Sequence, residues 1–218
     1  IEITNKKMSE PKIEVIKYAR KLNLTNLSIL RSGNISKRAR EKGIDGFYIT
    51  PSGMKYDILK PKDIVFVSLK GKFDKKKKPS SEWQFHRDIY VNKKEAKAIV
   101  HAHSTCATAV SSHQKNIPAF HYMVAVAGGE DLKCAKYATF GSKQLSKNII
   151  KALKNRAACL IANHGQVAFG DSLEKTFELA QEIENICHQY INALRIGIPK
   201  ILSKKEMKIV LGKLKIIR

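Results

Sequence analysis

Long apolar runs are missing from this sequence. None reaches the roughly 18 consecutive apolar residues that a membrane-spanning helix needs. The first residues contain no apolar segment of the kind found in secretory signal peptides. Internal repeats are absent too, and the only low-complexity tract is a run of lysines. We therefore expect a soluble protein of the cytoplasm.

Cysteine is scarce and widely spaced. No C-x-x-C pair is present, which excludes a zinc knuckle and a dithiol redox motif. Disulfide frameworks are typical of smaller secreted chains, and each cysteine here has apolar neighbours. We expect free thiols in a reducing compartment. They belong to Cys106, Cys134, Cys159 and Cys187.

Acidic residues are few, with 19 Asp and Glu against 41 Lys and Arg, for a formal net charge of +22. Such an excess attracts polyanions or anionic substrates. The sequence lacks the interleaved aromatic and basic residues, and the motifs, that are typical of nucleic-acid-binding domains. The densest run, Lys75 to Lys78, is predicted at a hairpin tip. We interpret the charge as a solvated surface and do not expect nucleic acid as a partner.

The composition that is present predicts one globular domain over residues 1–218. With 43% hydrophobic and 28% charged residues, the chain has enough apolar side chains for a single core. Residues 47–50 and 63–69 resemble strands separated by turns, which favours antiparallel pairing. Further strands are predicted before residue 103, over 137–140 and over 158–162.

Helices are predicted where apolar residues recur with helical spacing behind a capping residue. The first is expected to begin at residues 9–11, where a proline fits the first turn. Ser80 or Ser81 could cap a second helix, which carries Phe85 and Ile89. Others are predicted after Ser104, over 142–155, from Leu173 to about Leu194, and over 204–214.

His101 and His103 stand one residue apart at the end of an apolar run. Side chains in a strand alternate faces, so both imidazoles are expected to point the same way and could hold one ion. Neutral imidazole is a ligand for divalent first-row metals, most often zinc. The alternative is a pair of surface or hydrogen-bonded histidines.

A third histidine and a carboxylate could complete such a site. His164 follows the predicted strand at 158–162, and Glu82 lies at a predicted helix start, where capping is its simplest role when it is considered alone. Together these groups could hold a cation that acts as a Lewis acid on a carbonyl. Tyr122 is a candidate acid, although a lone tyrosine is more often a core or interface residue.

Two segments are suited to an anion. Residues 31–36 are small and polar, which is typical of a turn, of a backbone nest for an anion, or of an ordinary loop. The helix predicted after residues 80–81 begins with free N–H groups and the positive end of a helix dipole.

Five motifs, taken in order, resemble the class II aldolase/epimerase family. The resemblance extends from about residue 10 to residue 212, and no single motif carries it. The motifs are 79–86 (PSSEWQFH), 101–104 (HAHS), 121–129 (HYMVAVAGG), 137–141 (YATFG) and 163–165 (NHG).

This resemblance implies a fold and a metal centre. The fold would be an α/β three-layer α/β/α sandwich with a central, mainly antiparallel sheet, assembled as a homotetramer with its site at a subunit interface. His101, His103 and His164 would ligate one Zn²⁺ per subunit, and the same ligand set accepts Mn²⁺ or Co²⁺. Glu82 would ligate the metal and act as the base once substrate displaces it.

The resemblance also implies contacts to the substrate. Tyr122 of a neighbouring subunit would exchange a proton with the oxygen at the aldehyde end, and Phe140 would line the site. The substrate phosphate would bind at Asn34, Gly53, Ser80 and Ser81.

The sequence departs from the family pattern in three places. Arg31 stands where the family aldolase has a threonine beside the phosphate, and it could bind phosphate or face solvent. Ile217 stands where a C-terminal tyrosine is expected, which affects aldehyde selectivity more than the chemistry. The lysine run before Pro79 lies outside the pattern.

The implied activity is that of a lyase: reversible retro-aldol cleavage of a ketose 1-phosphate, such as L-fuculose 1-phosphate, to dihydroxyacetone phosphate and a short aldehyde. Two rivals in the same family are a pentulose-5-phosphate 4-epimerase and a methylthioribulose-1-phosphate dehydratase. Glu82 favours the aldolase over the epimerase, because the epimerases typically have aspartate there. A rival of another class is a non-catalytic scaffold or polyanion-binding protein.

Overall fold

The computed structural model describes residues 2–217, and the side chains of residues 10–214. Within residues 2–217, none of the helices combines the length and the apolar content that crossing a bilayer requires. The helices are α1 (Glu2–Leu24), α2 (Trp83–Asn92), α3 (Thr105–Ser111), α4 (Lys143–Ala152), α5 (Leu173–Ile196) and α6 (Lys204–Ile217), with 3-10 helices at Pro61–Asp63 and Tyr122–Ala127.

Seven strands in the described part of the chain form one sheet. Its order is β3-β2-β1-β4-β7-β6-β5, and the short β5 pairs with β6 in parallel, whereas the other neighbours are antiparallel. The predicted mainly antiparallel sheet is therefore confirmed. The strands are β1 (Asn34–Glu41), β2 (Ile44–Ile49), β3 (Val65–Ser68), β4 (Ala98–Ala102), β5 (Cys134–Ala135), β6 (Ala158–Ile161) and β7 (Gly165–Gly170).

Helices cover both faces of the sheet, as the sandwich fold requires. Adjacent residues of β4 show this, because strand side chains alternate. Val100 packs in a core cluster with residues of α1 and α5, whereas Ile99 packs in a second cluster with residues of α2 and α4. The result is a three-layer α/β/α arrangement around a central sheet.

Strand β1 was not predicted, because much of it is polar. Only Ile35 of its first four residues is a large apolar side chain, yet the strand pairs with both β2 and β4 and lies inside the sheet. The pairing partners, rather than the local sequence, determine this strand. Strand β7 was missed as well, and it forms a hairpin with β6.

Other predicted boundaries were wrong. Helix α1 begins at Glu2, and Pro11 lies inside it, since a proline removes one backbone hydrogen bond without always ending a helix. The strand predicted at 137–140 is irregular chain, and the nearest strand is β5. Lys75 to Lys78 do not form a hairpin tip, because the segment leads from the edge strand β3 into α2.

One glycine brings the hairpin of β6 and β7 against the end of β4. A side chain at Gly165 would place its Cβ 2.3 Å from the carbonyl oxygen of Ala102, which is too close for any other residue. This approach positions the turn that contains His164 beside the H-x-H segment.

Candidate active site

Three imidazoles meet where β4 and the turn between β6 and β7 come together. His101 is on β4, His103 follows that strand, and His164 lies in the turn. The ring centroids are 4.8 Å apart for His101 and His103, 4.8 Å for His101 and His164, and 4.7 Å for His103 and His164. The three rings are therefore close enough together to bind a single ion.

Glu82 joins this cluster from the opposite side. It is the N-cap residue of α2, but its side chain accepts no capping hydrogen bond, so the simple capping interpretation is wrong. Instead, Oε2 lies 3.1 Å from Nε2 of His101 and Oε1 lies 3.2 Å from Nε2 of His164. The Glu82 N–H is donated to the Ser80 hydroxyl at 3.3 Å, which ties the helix start to the segment before it.

The donor atoms fit a divalent cation. The ligand atoms of Glu82 and the three histidines all lie within 4.8 Å of one another. Nδ1 of His101 lies 2.7 Å from the Gln166 carbonyl oxygen, so it carries the proton and leaves the Nε2 lone pair facing the cluster. Oε1 of Glu82 is buried without a hydrogen-bond partner. Three imidazole nitrogens and a carboxylate are a donor set that zinc and similar metals accept.

The protonation states of these groups also suit metal binding. Burial lowers the pKa of His103 to about 3 and that of His164 to about 4, and the nearby His101 acts in the same direction. Both rings are therefore neutral near pH 7, which is the form that ligates. Burial alone would raise the pKa of Glu82, but the neighbouring His101 and His164 and the hydrogen bond from Asn34 together hold that pKa below its ordinary value.

Two hydrogen bonds of Asn163 hold the turn that contains His164. Asn163 has a left-handed backbone (φ 53°), and its side-chain oxygen accepts a 2.8 Å hydrogen bond from Gln114. The Asn163 N–H is donated to the Ser111 carbonyl of α3 at 3.2 Å. Sequence reasoning missed these supports and Gln166, because a backbone contact or an ordinary polar residue leaves no motif.

A cleft of about 340 Å³ opens above the cluster. Its lining includes Glu82, His103 and His164 on the inner side and the four residues predicted at the phosphate. Arg31 and Phe140 lie on it as well, both exposed to solvent. The four phosphate candidates are Asn34, Gly53, Ser80 and Ser81.

Asn34 has a second set of contacts that the sequence did not indicate. Its side chain is buried, Nδ2 donates a 3.0 Å hydrogen bond to Oε2 of Glu82, and Oδ1 is bound by His86. The side chain of Asn34 is therefore engaged with the carboxylate as well as lining the cleft.

Tyr122 does not join the cluster within one chain. It begins the 3-10 helix Tyr122–Ala127, is 50% exposed, and is absent from the described residues that line the cleft. Its expected role requires a neighbouring subunit.

Comparison with known proteins gives the family. Residues 13–191 match the family model described as the class II aldolase and adducin N-terminal domain. The chain is 43% identical over 201 residues to a 5-methylthioribulose-1-phosphate/5-deoxyribulose-1-phosphate aldolase of Rhodospirillum rubrum, covering 92% of this chain and 89% of the relative. It is also 43% identical over 197 residues to the L-fuculose phosphate aldolase of Escherichia coli, covering 89% and 90%.

Solved structures agree with these relatives. An L-fuculose 1-phosphate aldolase superposes with a TM-score of 0.89 at 39% identity, covering 95% of this chain and 97% of that one. The chain belongs to the class II aldolase family. That family is metal-dependent, and the match identifies this chain as an enzyme of the aldolase class, a lyase with the α/β fold predicted from its motifs.

Proposed function

We propose that this enzyme reversibly cleaves a ketose 1-phosphate to dihydroxyacetone phosphate and a short aldehyde. The observation that carries this proposal is the convergence of three imidazoles and Glu82 at the inner end of a cleft with small polar residues along its opening. A cation-binding cluster beside a polar cleft suits a phosphorylated sugar that offers adjacent carbonyl and hydroxyl oxygens.

The names of the relatives define the substrates to consider. They act on L-fuculose phosphate, 5-methylthioribulose 1-phosphate or 5-deoxyribulose 1-phosphate. Cleavage of a ketose 1-phosphate between C3 and C4 gives dihydroxyacetone phosphate in every case, and the three sugars differ in the aldehyde that is released. We propose that this enzyme shares the dihydroxyacetone phosphate half and takes one of these sugars or a close analogue.

We assign the phosphate to the side of the cleft formed by Gly53, Ser80, Ser81 and Asn34. Backbone N–H groups of a turn and serine hydroxyls at a helix start are donors that favour an anion. Arg31 lies beside them and donates from Nη1 to the Gly53 carbonyl oxygen at 3.0 Å. We propose that Arg31 adds a charged donor to this phosphate site.

The metal is proposed to be one Zn²⁺ per subunit, held by His101, His103, His164 and, before substrate binds, Glu82. Mn²⁺ or Co²⁺ would be accepted by the same donors. When bound, such a cation supplies a Lewis acid that draws electron density from the ketose carbonyl.

Glu82 and Tyr122 are proposed to move the protons. In the condensation direction Glu82 takes a proton from the hydroxymethyl carbon of dihydroxyacetone phosphate. The electron pair left on that carbon forms the bond to the aldehyde carbon, and Tyr122 gives its phenolic proton to the aldehyde oxygen as it becomes a hydroxyl. Exchange with solvent resets both groups, and cleavage reverses each step.

Assembly as a homotetramer is part of the proposal. Tyr122 lies outside the cleft of its own chain and half exposed, so it is available to a neighbouring subunit. A site shared between subunits would explain how an exposed tyrosine reaches the substrate. We also propose a cytoplasmic location, which suits the four free cysteines.

The rival functions are less favoured. The relatives compared above are aldolases, rather than 4-epimerases or dehydratases. A scaffold or polyanion-binding protein has no physical need for four converging metal ligands.

A panel of the three ketose 1-phosphates tests the proposal. We expect the zinc-loaded enzyme to release dihydroxyacetone phosphate and an aldehyde from at least one sugar, and chelator-treated enzyme to release neither. An epimer or a dehydrated diketone as the product would instead support one of the rivals. Binding to DNA or heparin at physiological salt, with no metal bound and no cleavage, would support the non-catalytic alternative.

A further inference from the structure

A chain of buried polar side chains runs from the core to Glu82. Asn34 donates to Oε2 of Glu82, and Oδ1 of Asn34 contacts Nε2 of His86. Nδ1 of His86 lies 2.7 Å from the Ser36 hydroxyl, which lies 2.9 Å from the hydroxyl of Tyr90. The four residues behind Glu82 are each at most 3% exposed, so they depend on one another for hydrogen bonds.

The chemistry of the groups fixes the direction of each hydrogen bond. A carboxylate only accepts, so Asn34 must present its NH₂ to Glu82 and its oxygen to His86. Nε2 of His86 then carries the proton, and Nδ1 accepts from the Ser36 hydroxyl. Because Ser36 has a single proton, Tyr90 is the donor in the last bond. Burial lowers the pKa of His86 to about 3, which agrees with the neutral ring that this direction requires.

This series of hydrogen bonds makes the two carboxylate oxygens of Glu82 inequivalent, because only one of them contacts Asn34. Oε2 accepts a hydrogen bond from Asn34, whereas Oε1 is buried without a hydrogen-bond partner and lies 3.2 Å from Nε2 of His164, one of the candidate metal ligands. If the Asn34 amide rotated by half a turn, its oxygen would face the carboxylate and repel it. The Nε2–H of His86 prevents that rotation, because the rotated amide would also turn its NH₂ toward a donor.

We propose that His86 is a positioning residue for Glu82: by fixing the Asn34 amide it anchors Oε2 and leaves Oε1 to exchange the proton with the substrate. The inference rests on the proposed function for its last step. His86 itself touches neither substrate nor metal in this scheme. His86 and Tyr90 lie on α2 and Glu82 is the N-cap residue of the same helix, so one helix carries both ends of this series of hydrogen bonds.

The test compares His86→Leu with His86→Gln in the zinc-loaded enzyme. Leucine removes the donor, whereas the side-chain amide of glutamine offers an N–H near the position of Nε2. For His86→Leu we expect kcat to fall about 10- to 100-fold with a far smaller change in KM, as is typical for residues that orient a metal site. His86→Gln should recover most of the lost kcat.

Ser146→Ala is the matched control. Ser146 is buried, lies on α4, and donates its hydroxyl to Asp88 of α2, the helix that carries His86. The change removes one buried hydrogen bond to the same helix away from Glu82, so it should lower the melting temperature and leave kcat unchanged. A loss of kcat in Ser146→Ala equal to that in His86→Leu would assign His86 a general structural role and overturn the proposal.

A second readout needs no activity. In a ¹H–¹⁵N spectrum, the side-chain NH₂ of Asn34 should exchange slowly with solvent in the parent protein and in His86→Gln, and rapidly in His86→Leu. Unchanged exchange in His86→Leu, or a His86→Gln variant no more active than His86→Leu, would contradict the proposal. If the parent enzyme cleaves no ketose phosphate, the proposed function fails, whereas the exchange measurement still decides whether His86 fixes the amide.

Discussion

The inner end and the opening of the cleft are built differently. The inner end, formed by Glu82, His101, His103 and His164, is largely buried, and His101 has no exposed surface at all. At the opening, Phe140 is 65% exposed and Arg31 lies on the surface. At the inner end, the His101 ring donates a hydrogen bond to a backbone carbonyl and Glu82 accepts one from the buried Asn34. At the opening, Arg31 donates one hydrogen bond to the Gly53 carbonyl.

The difference between the buried inner end and the exposed opening suits two separate tasks, the reaction at the inner end and the choice of sugar at the opening. The inner groups come from three places in the fold, which are the start of α2, the end of β4 and the turn between β6 and β7. A change there therefore disturbs several neighbours at once. Surface loops tolerate change, so exposed residues at the opening, such as Arg31 and Phe140, can vary without disturbing the cluster of Glu82 and the three histidines. The relatives fit this division, because aldolases for different sugars are equally similar to this chain.

The largest effect is expected from the inner end itself. His103→Ala removes one of the four ligands, so bound zinc should be lost and kcat/KM should fall by about 1,000-fold or more, since the Lewis acid is lost with it. Elemental analysis measures the bound zinc, and the cleavage assay measures kcat/KM. The exposed His113 gives the control, because His113→Ala should retain metal and activity. An active, zinc-loaded His103→Ala enzyme would remove His103 from the cluster.

Glu82→Gln separates metal binding from proton transfer. The three imidazoles remain, so zinc should be retained, whereas kcat should fall about 100- to 10,000-fold because the amide takes no proton from carbon. Stopped assays of dihydroxyacetone phosphate measure kcat, and elemental analysis of the same samples measures the zinc content. Full turnover in this variant would exclude Glu82 as the base.

At the opening, Arg31→Gln should act on binding alone. Loss of one charged donor to phosphate should raise KM about 10-fold, the equivalent of roughly 1.5 kcal/mol, with little change in kcat. Steady-state kinetics at two salt concentrations measure the rise in KM and how far salt screens the attraction between Arg31 and the phosphate. Arg195, an exposed arginine on α5, provides the control through Arg195→Gln. An unchanged KM would mean that Arg31 faces solvent.

Mixing two inactive variants tests the contribution of a second subunit. Glu82→Gln and Tyr122→Phe, unfolded and refolded together, should regain about a quarter of the parent activity, because random assembly joins an intact Glu82 to an intact Tyr122 in one site of four. Separately refolded variants are the control. No gain in the mixture would indicate that both groups act from the same chain.

The smallest effect concerns stability of the metal-free enzyme. The pKa values of His103 and His164 are lowered to about 3 and about 4, so the folded state resists protonation that the unfolded state accepts near pH 6.5. The stability that these rings contribute is therefore present above pH 6.5 and declines as the pH falls toward 4. Thermal melts at several pH values measure it, and the decline should be weaker in His103→Gln. Equal declines in both proteins would contradict the lowered pKa of His103.

Features that depend on neighbouring residues in the sequence could be predicted from it. Strand alternation predicted that His101 and His103 lie on one side, and helical spacing of apolar residues predicted α5, because both signals are local. Glu82 and His164 were candidates from their places at a predicted helix start and a predicted strand end. The family pattern then implied that they share one metal with His101 and His103, although they are far apart in the chain.

Contacts between distant segments left no local signal. Strand β1 depends on its neighbours, and Asn34 was expected at phosphate only, although its amide contacts Glu82 and His86. His86 belonged to a family motif but no role was predicted for it, because its partners lie some 50 positions earlier in the sequence. Tyr122 does not line the cleft of its own chain, so its proposed role depends on a second subunit.

Anomalous diffraction at the zinc edge, from crystals grown with Zn²⁺, tests the central claim most directly. We expect one peak per subunit, about 2.0–2.1 Å from an imidazole nitrogen of each of His101, His103 and His164. Zinc bound elsewhere, or these three rings left without a peak at saturating zinc, would contradict the account.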